Sequence, residues 1–94
     1  MAQTKKVRGV ATKVFEDDTD KIVKYHNTEV VRFNKKRIKL DTGGYDTKTT
    51  RRRMNQASNE FKLGYRVYTK NGETLVDFDG LTIRFTGNVL ELER

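Results

Sequence analysis

The chain has 94 residues, of which 34% are hydrophobic and 35% are charged, and its formal net charge is +7. This length fits a single domain over residues 1–94 with one modest core. The sequence has no cysteine, which excludes a disulfide framework, a thiolate nucleophile and a Cys-ligated metal site. It also has no apolar run near the roughly 20 residues that span a bilayer. We therefore expect a soluble cytoplasmic protein that does not bind membranes.

The first half of the chain is predicted to form antiparallel strands, because apolar and polar residues alternate in short runs that polar segments separate. One such segment, Glu16–Asp20, is acidic, but it lacks the glycine and terminal glutamate of a calcium loop. We predict a turn there, without a metal. His26 is the only histidine, and we interpret it as a turn residue because no partner for catalysis lies beside it. The predicted strands are Lys5–Phe15, Lys21–Tyr25, Glu29–Phe33 and Arg37–Asp41.

A short helix is predicted next, over residues 50–59. Met54, Ala57 and Phe61 recur at spacings of three and four, which places them on one helical face. We expect this face, together with Leu63, to pack on the sheet.

Both ends of this helix have capping candidates. A threonine hydroxyl can accept a hydrogen bond from a first-turn N–H, and Thr49 is the better candidate, with Thr47 behind it. At the other end, Leu63 and Gly64 are typical of a C-terminal glycine cap.

The first turn of the predicted helix carries three consecutive arginines, Arg51–Arg53. Their charge has the wrong sign, because a helix N-terminus carries a partial positive charge. Either solvent and salt screen the three guanidinium groups, or an anion binds where they meet free backbone N–H groups. Gly43 and Gly44 precede the helix and permit a close approach of the backbone, although a plain turn also explains them.

The last third of the chain is predicted to be a four-stranded meander. Asn71 and Gly72 form a strong hairpin signal, and further glycine turns separate the later runs. Ile83 lies in the most regular alternation, and we expect its side chain to be in the core. The predicted strands are Tyr65–Thr69, Thr74–Phe78, Leu81–Phe85 and Val89–Glu93.

These elements predict an α+β fold that is mainly antiparallel β, a meander or a small partly open barrel, with one short central helix. An open meander exposes strand edges, so a homodimer through an edge strand is a further prediction.

Two aspartates and several tyrosines are further candidates for functional residues. Asp77 and Asp79 resemble a carboxylate pair, but further ligands are lacking, so we predict no enzyme activity, no catalytic residue, no metal and no cofactor. Tyrosines can stack on bases. We interpret Tyr25 and Tyr65 as core residues, while the role of Tyr45 stays open between packing and partner contact.

Positive charge is concentrated in one segment, because residues 32–53 hold nine Lys and Arg against two Asp. If the predicted hairpin and the helix start share one side of the molecule, they form a continuous basic surface that suits phosphate groups. The candidate anion-binding or nucleic-acid-binding residues are Arg32, Lys35, Lys36, Arg37, Lys39, Gly43, Gly44, Tyr45, Lys48, Thr49, Thr50, Arg51, Arg52 and Arg53.

The same segment resembles a pattern in small uncharacterised proteins of tailed bacteriophages. The pattern joins a Gly-Gly-aromatic group to a Thr-Thr pair and a basic-x-Arg-hydrophobic-Asn helix start, here Gly43–Tyr45, Thr49–Thr50 and Arg52–Asn55. The resemblance covers about residues 25–68, and the aromatic residue, often Trp in the pattern, is Tyr45 here. It implies a phage protein and no particular activity.

Two functions therefore remain as hypotheses. The first is a phage-encoded accessory protein that binds nucleic acid or another polyanion through the basic hairpin and helix start. The second is a phage-encoded protein that binds and modulates an acidic host protein. Both hypotheses place the protein in the host cytoplasm.

Overall fold

The computed structural model describes residues 12–44 and 47–94, and these ranges contain one helix and eight strands. The helix, α1, spans Lys48–Phe61. The strands are β1 (Thr12–Asp17), β2 (Asp20–Tyr25), β3 (Thr28–Phe33), β4 (Arg37–Asp41), β5 (Tyr65–Lys70), β6 (Glu73–Phe78), β7 (Leu81–Arg84) and β8 (Val89–Glu93). The first predicted strand is confirmed from Thr12 onward, and its residues 5–11 lie outside the described ranges.

The strands form two antiparallel sheets. A five-stranded sheet has the order β1-β2-β3-β4-β8, and a three-stranded sheet has the order β5-β6-β7. Each consecutive pair within a sheet is antiparallel. This confirms the predicted α+β class with one helix among mainly antiparallel strands, and the described strands do not close into a barrel.

The predicted C-terminal meander of four strands is wrong, because β8 leaves β7 and pairs with β4. The facing pairs are Arg37–Glu93, Ile38–Leu92, Lys39–Glu91 and Leu40–Leu90. The two leucines of β8 therefore extend the apolar face of β4, while its two glutamates face basic residues. Both effects favour this pairing over continuation of the smaller sheet.

Helix α1 packs on the apolar face of the five-stranded sheet. Met54 and Ala57 have no exposed surface, and Leu63 is 4% exposed. The ring of Phe61 lies 5.2 Å from that of Phe33, measured between centroids. The predicted packing face of the helix is thus confirmed.

The helix begins two residues earlier than predicted, and Thr47 rather than Thr49 is its N-cap. The Thr50 N–H donates to Thr47 Oγ1 at 3.1 Å, and the two hydroxyl groups lie 3.0 Å apart. Thr49 lies inside the first turn, where its backbone is already helical. The earlier of the two threonine positions supplies the cap.

The C-terminal cap also differs from the prediction. Lys62, not Gly64, is the C-cap residue, and its φ of 55° is left-handed. The Leu63 N–H donates to Ser58 O at 3.0 Å, which closes the last turn. Gly64 follows with a positive φ and leads into β5.

Two polar side chains of α1 cover the free edge of β5. The Asn55 amide donates to Val67 O at 2.7 Å and accepts from Val67 N at 2.7 Å. The Ser58 hydroxyl donates to Tyr65 O at 2.6 Å and accepts from Tyr65 N at 3.1 Å. These bonds replace a neighbouring strand, so the helix ties the smaller sheet to the larger one.

The strand β7 is less buried than its alternating pattern predicts. Leu81 is 64% exposed and Ile83 is only partly buried, whereas Phe85, just beyond the strand, is 7% exposed. Ile83 packs against the core without being fully buried, so the prediction of a buried Ile83 side chain is confirmed only in part. Among the described strands, β7 is the outer strand of its three-stranded sheet and pairs only with β6.

Candidate nucleic-acid interface

The candidate residues divide between the two ends of α1. The N-terminal residues Thr47 and Thr50 line a cavity together with Thr28, which begins β3. At the other end, Phe61 contacts Phe33, which ends β3. The β3–β4 turn follows Phe33, so its lysines lie near the C-terminal end of the helix. The structure thus does not bring the basic hairpin and the helix start together.

The hairpin residue Arg32 lies among three carboxylates. Its guanidinium nitrogens are 2.7 Å from Asp20 Oδ2, 3.1 Å from Glu29 Oε1 and 3.6 Å from Asp17 Oδ2. The hydrogen bonds with Asp20 and then Glu29 raise the pKa of Arg32 above its ordinary value. Arg32, with Asn34 beside it, lowers the pKa of Asp20. The charge of Arg32 is therefore neutralised within the fold.

The rest of the hairpin is less compensated, because no ion pair among the described residues involves its other cations. Lys39 and Arg37 face the two glutamates of β8 across the β4–β8 pair. Lys35 and Lys36 are exposed in the turn, and the Lys36 carbonyl accepts from the Arg94 N–H at 2.9 Å. Lys35, Lys36 and Arg37 are the exposed cations that remain of the predicted basic hairpin surface.

Gly43 and Gly44 have left-handed φ angles of 63° and 88°. A Cβ atom on Gly43 would lie 2.3 Å from the Thr28 hydroxyl oxygen, so glycine is required there for packing as well as for conformation. The Gly43 N–H donates to Asp41 Oδ1 at 2.8 Å, and the Gly44 N–H donates to Thr42 Oγ1 at 3.3 Å. Both glycine N–H groups are thus used inside the fold. Tyr45 lies outside the described residues.

The three consecutive arginines, Arg51–Arg53, lie across the first and second turns of α1 and have different environments. Arg53 is 8% exposed, donates from Nε to Thr12 Oγ1 at 2.9 Å and from Nη1 to Gln56 Oε1 at 3.3 Å, and lies 5.7 Å from the Tyr25 ring centroid. Arg51 is half-buried. Arg52 is exposed, and so is Lys48, one turn earlier on the helix.

The remaining first-turn residues are mostly structural. Thr50 is 2% exposed and bonded to the cap, while Thr49 is half-buried. The first turn contains no acidic residue, and none of the ion pairs among the described residues involves Lys48 or Arg52. These two cations are therefore the exposed charge of the helix start.

A cavity of about 340 Å³ opens beside this end of the helix. The rings of Tyr25 and His26 lie at its wall with centroids 4.3 Å apart and planes inclined by 55°. Its lining residues are Tyr25, His26, Asn27, Thr28, Val30, Thr42, Thr47 and Thr50. The cavity combines two aromatic rings with hydroxyl and amide groups, so it offers both stacking and hydrogen bonding.

The sequence interpretation missed this cavity but assigned two of its wall residues correctly. His26 has a φ of 55°, which confirms a turn position. Tyr25 packs against the core, as predicted, and leaves part of its ring accessible. The signal that the sequence offered was the aromatic pair followed by the polar residues Asn27 and Thr28.

A family model described as "Kyanoviridae Gp96 protein" matches residues 1–91. The chain belongs to this family. The Kyanoviridae Gp96 family is a family of tailed-phage proteins, which confirms the phage assignment, although the match does not test the short motif that suggested it. Comparisons with curated proteins and with solved structures found no match.

Other polar groups of this Gp96 family member serve the fold. Asp77 Oδ1 accepts from the Tyr68 hydroxyl at 2.9 Å and from the Thr82 hydroxyl at 2.9 Å, and the first of these bonds raises the pKa of Tyr68. The buried Tyr65 hydroxyl donates to Met54 O, and burial raises its pKa. Asp79 is an exposed turn residue.

Among the described residues, no group of three His, Cys, Asp or Glu residues is arranged to hold a metal ion. The same residues include no helix that is long and apolar enough to cross a membrane.

Proposed function

We propose that this phage protein is an accessory protein, not an enzyme, that binds single-stranded nucleic acid in the host cytoplasm. The binding surface would be the cavity beside the start of α1 together with Lys48 and Arg52. The observation that carries the proposal is a cavity with an aromatic pair in its wall, at the N-terminal end of a helix that exposes Lys48 and Arg52 in its first two turns.

The cavity suits a nucleobase rather than a free anion. Bases stack on aromatic side chains at roughly 1–3 kcal/mol per base, and every base has a π face that accepts such a contact. Asn27 and the threonine hydroxyls supply hydrogen-bond partners at the cavity wall. Pockets of roughly 300 Å³ or more hold small organic groups.

The neighbouring charges suit the phosphates of the same strand. Lys48 and Arg52 lie four residues apart on one exposed face of α1, roughly opposite the face on which Thr50 lines the cavity, so a strand that leaves the cavity would pass over the helix start to reach them. The partial positive charge of the helix N-terminus acts in the same direction. This surface is smaller than the one that the sequence predicts, because Arg32 and Arg53 are already engaged within the fold.

The proposal can be tested by fluorescence anisotropy with a labelled oligothymidylate. We expect the affinity to fall linearly with salt on a log–log plot, and reversal of two phosphate contacts in Lys48→Glu/Arg52→Glu to reduce the slope by about 1.4. Binding that is independent of salt, or that is equally strong in this double variant, would contradict the proposal.

A second variant tests the stacking step. His26→Asn keeps a residue type that tolerates the left-handed conformation and removes the ring. We expect the affinity for oligothymidylate to fall about fivefold or more, with little change in the salt slope. Lys70→Gln, on the distant strand β5, serves as a control that leaves the affinity nearly unchanged.

A separate experiment tests the alternative that the partner is an acidic host protein. A pull-down from host lysate is run with and without nuclease. Loss of all retained protein after nuclease treatment agrees with nucleic-acid binding, whereas one stoichiometric protein that survives treatment would favour the alternative.

A further inference from the structure

The outer edge of β1 is left without a strand partner among the described residues. All of Lys13–Asp17 is exposed, and Val14 and Phe15 are each 39% exposed. The edge of β5, in contrast, is covered by side chains from α1. Proteins usually protect a long edge with charged side chains, proline, a bulge or a covering segment, and β1 carries charged side chains of both signs. The pairing of β1 with β2 has no bulge, and the chain has no proline.

The pairing of β1 with β2 leaves like charges opposite each other at both ends of the hairpin. Lys13 faces Lys24, and Asp17 faces Asp20. Like charges in directly opposite positions destabilise a strand pair. Arg32 compensates Asp20 and also lies 3.6 Å from Asp17, whereas Lys13 has no opposite charge facing it on β2. The outer side of β1 is where a favourable partner can be added.

We propose that a second copy of the chain pairs with this edge, β1 against β1, in an antiparallel dimer with its twofold axis at Phe15. Side chains alternate between the two faces of a sheet, and a twofold axis perpendicular to the sheet keeps equivalent faces on the same side. Phe15 then faces the partner's Phe15, and Lys13 faces the partner's Asp17. Each lysine gains the opposite charge that it lacks within its own hairpin.

The alternative registers of the β1–β1 pair are less favourable, because they leave charges unmatched or place like charges opposite each other. An axis at Val14 places Lys13 opposite the partner's Phe15, so the charges are left unmatched. An axis at Lys13 or at Glu16 places a charged residue opposite its own copy. The register centred on Phe15 is therefore the one that combines an aromatic pair with two opposite-charge pairs.

This dimer would have one ten-stranded antiparallel sheet with both copies of α1 on the same face. The inference does not depend on nucleic-acid binding, since it rests on the edge and the charges of β1 alone.

Sedimentation velocity over a range of concentrations at low salt tests the dimer. We expect the wild-type protein to dimerise. The dimer dissociation constant of Lys13→Glu should be higher by roughly tenfold or more, and Lys13→Glu/Asp17→Lys should regain dimerisation. Lys36→Glu, in the exposed β3–β4 turn, makes the same charge change away from the edge and should dimerise normally. A wild-type protein that stays monomeric, or a Lys13→Glu variant that dimerises as tightly, would overturn the proposal.

Because the chain has no cysteine, the register can be tested by a single Phe15→Cys variant. Directly opposite Cβ atoms lie close enough for a disulfide, so mild oxidation should yield a covalent dimer. Leu81→Cys, exposed on β7, should not cross-link at the same concentration. Folding of each variant is checked by circular dichroism. Cross-linking of both variants to the same extent, or of neither, would overturn the register.

Discussion

The β3–β4 hairpin and the first two turns of α1 both concentrate lysine and arginine, but carboxylates from other strands face part of the hairpin. Asp20 comes from β2, and the glutamates that face Lys39 and Arg37 come from β8. At the helix start, Lys48 and Arg52 are exposed and take part in no ion pair among the described residues. A segment rich in lysine and arginine therefore forms a basic surface only where the fold places no carboxylates from other strands beside it.

The largest expected effect on stability distinguishes the buried Arg53 from the exposed Arg52. We predict that Arg53→Ala lowers the free energy of unfolding by about 2 kcal/mol, because a buried side chain loses its bonds to Thr12 and Gln56 and its packing on Tyr25. Arg52→Ala should change it by less than about 0.5 kcal/mol. Urea denaturation measures both, and equal costs would remove the distinction between a structural and an exposed arginine.

The cap of α1 gives the next effect. Thr47→Ala should lower the free energy of unfolding by about 1 kcal/mol, because the Thr50 N–H loses its acceptor. Thr49→Ala is the matched control and should cost much less. A larger cost for Thr49→Ala would mean that the helix, and with it the position of Lys48 and Arg52, begins later.

On the hairpin side, Arg32→Met should lower the free energy of unfolding by an amount on the order of 1 kcal/mol, since partly exposed charge networks contribute modestly. Three carboxylates would lose their cation. Affinity for oligothymidylate should be unchanged. If binding falls while stability is retained, Arg32 belongs to the binding surface after all.

The smallest effect concerns pH. Arg32, followed by Asn34, holds the pKa of Asp20 below its ordinary value. The folded protein therefore gains stability above the unfolded pKa, which is about 3.9, and loses it as the pH falls through the folded pKa. In Asp20→Asn this part of the acid dependence should disappear, as thermal melting between neutral and acidic pH can measure. An unchanged acid profile would show that the Arg32–Asp20 pair contributes nothing to it.

The fold class, most strand positions and the packing face of α1 could be predicted from the sequence. Apolar residues that alternate, or that recur every three or four positions, can be recognised within one segment. The strand that pairs with β8 could not be predicted, because Leu90 and Leu92 pack beside β4 residues about 50 positions earlier in the chain. The N-cap was misplaced because Thr47 and Thr49 have the same hydroxyl, and the choice depends on backbone geometry.

The candidate site was predictable in its charge and not in its shape. Arg51–Arg53 are identical in sequence, and only the helical rotation of about 100° per residue turns Arg53 inward and Arg52 outward. The cavity joins Tyr25 and His26 to Thr47 and Thr50, which are more than 20 residues apart, so no local pattern could indicate it.

The most direct test of the account compares two charge reversals of equal size at the two ends of α1. Lys48→Glu/Arg52→Glu changes the helix start, and Lys35→Glu/Lys36→Glu changes the β3–β4 turn, with all four residues exposed. Affinity for labelled oligothymidylate is measured for both at one low salt concentration. We expect a loss of roughly tenfold or more for the first variant and a clearly smaller loss for the second. Equal losses, or a larger loss for the turn variant, would contradict it.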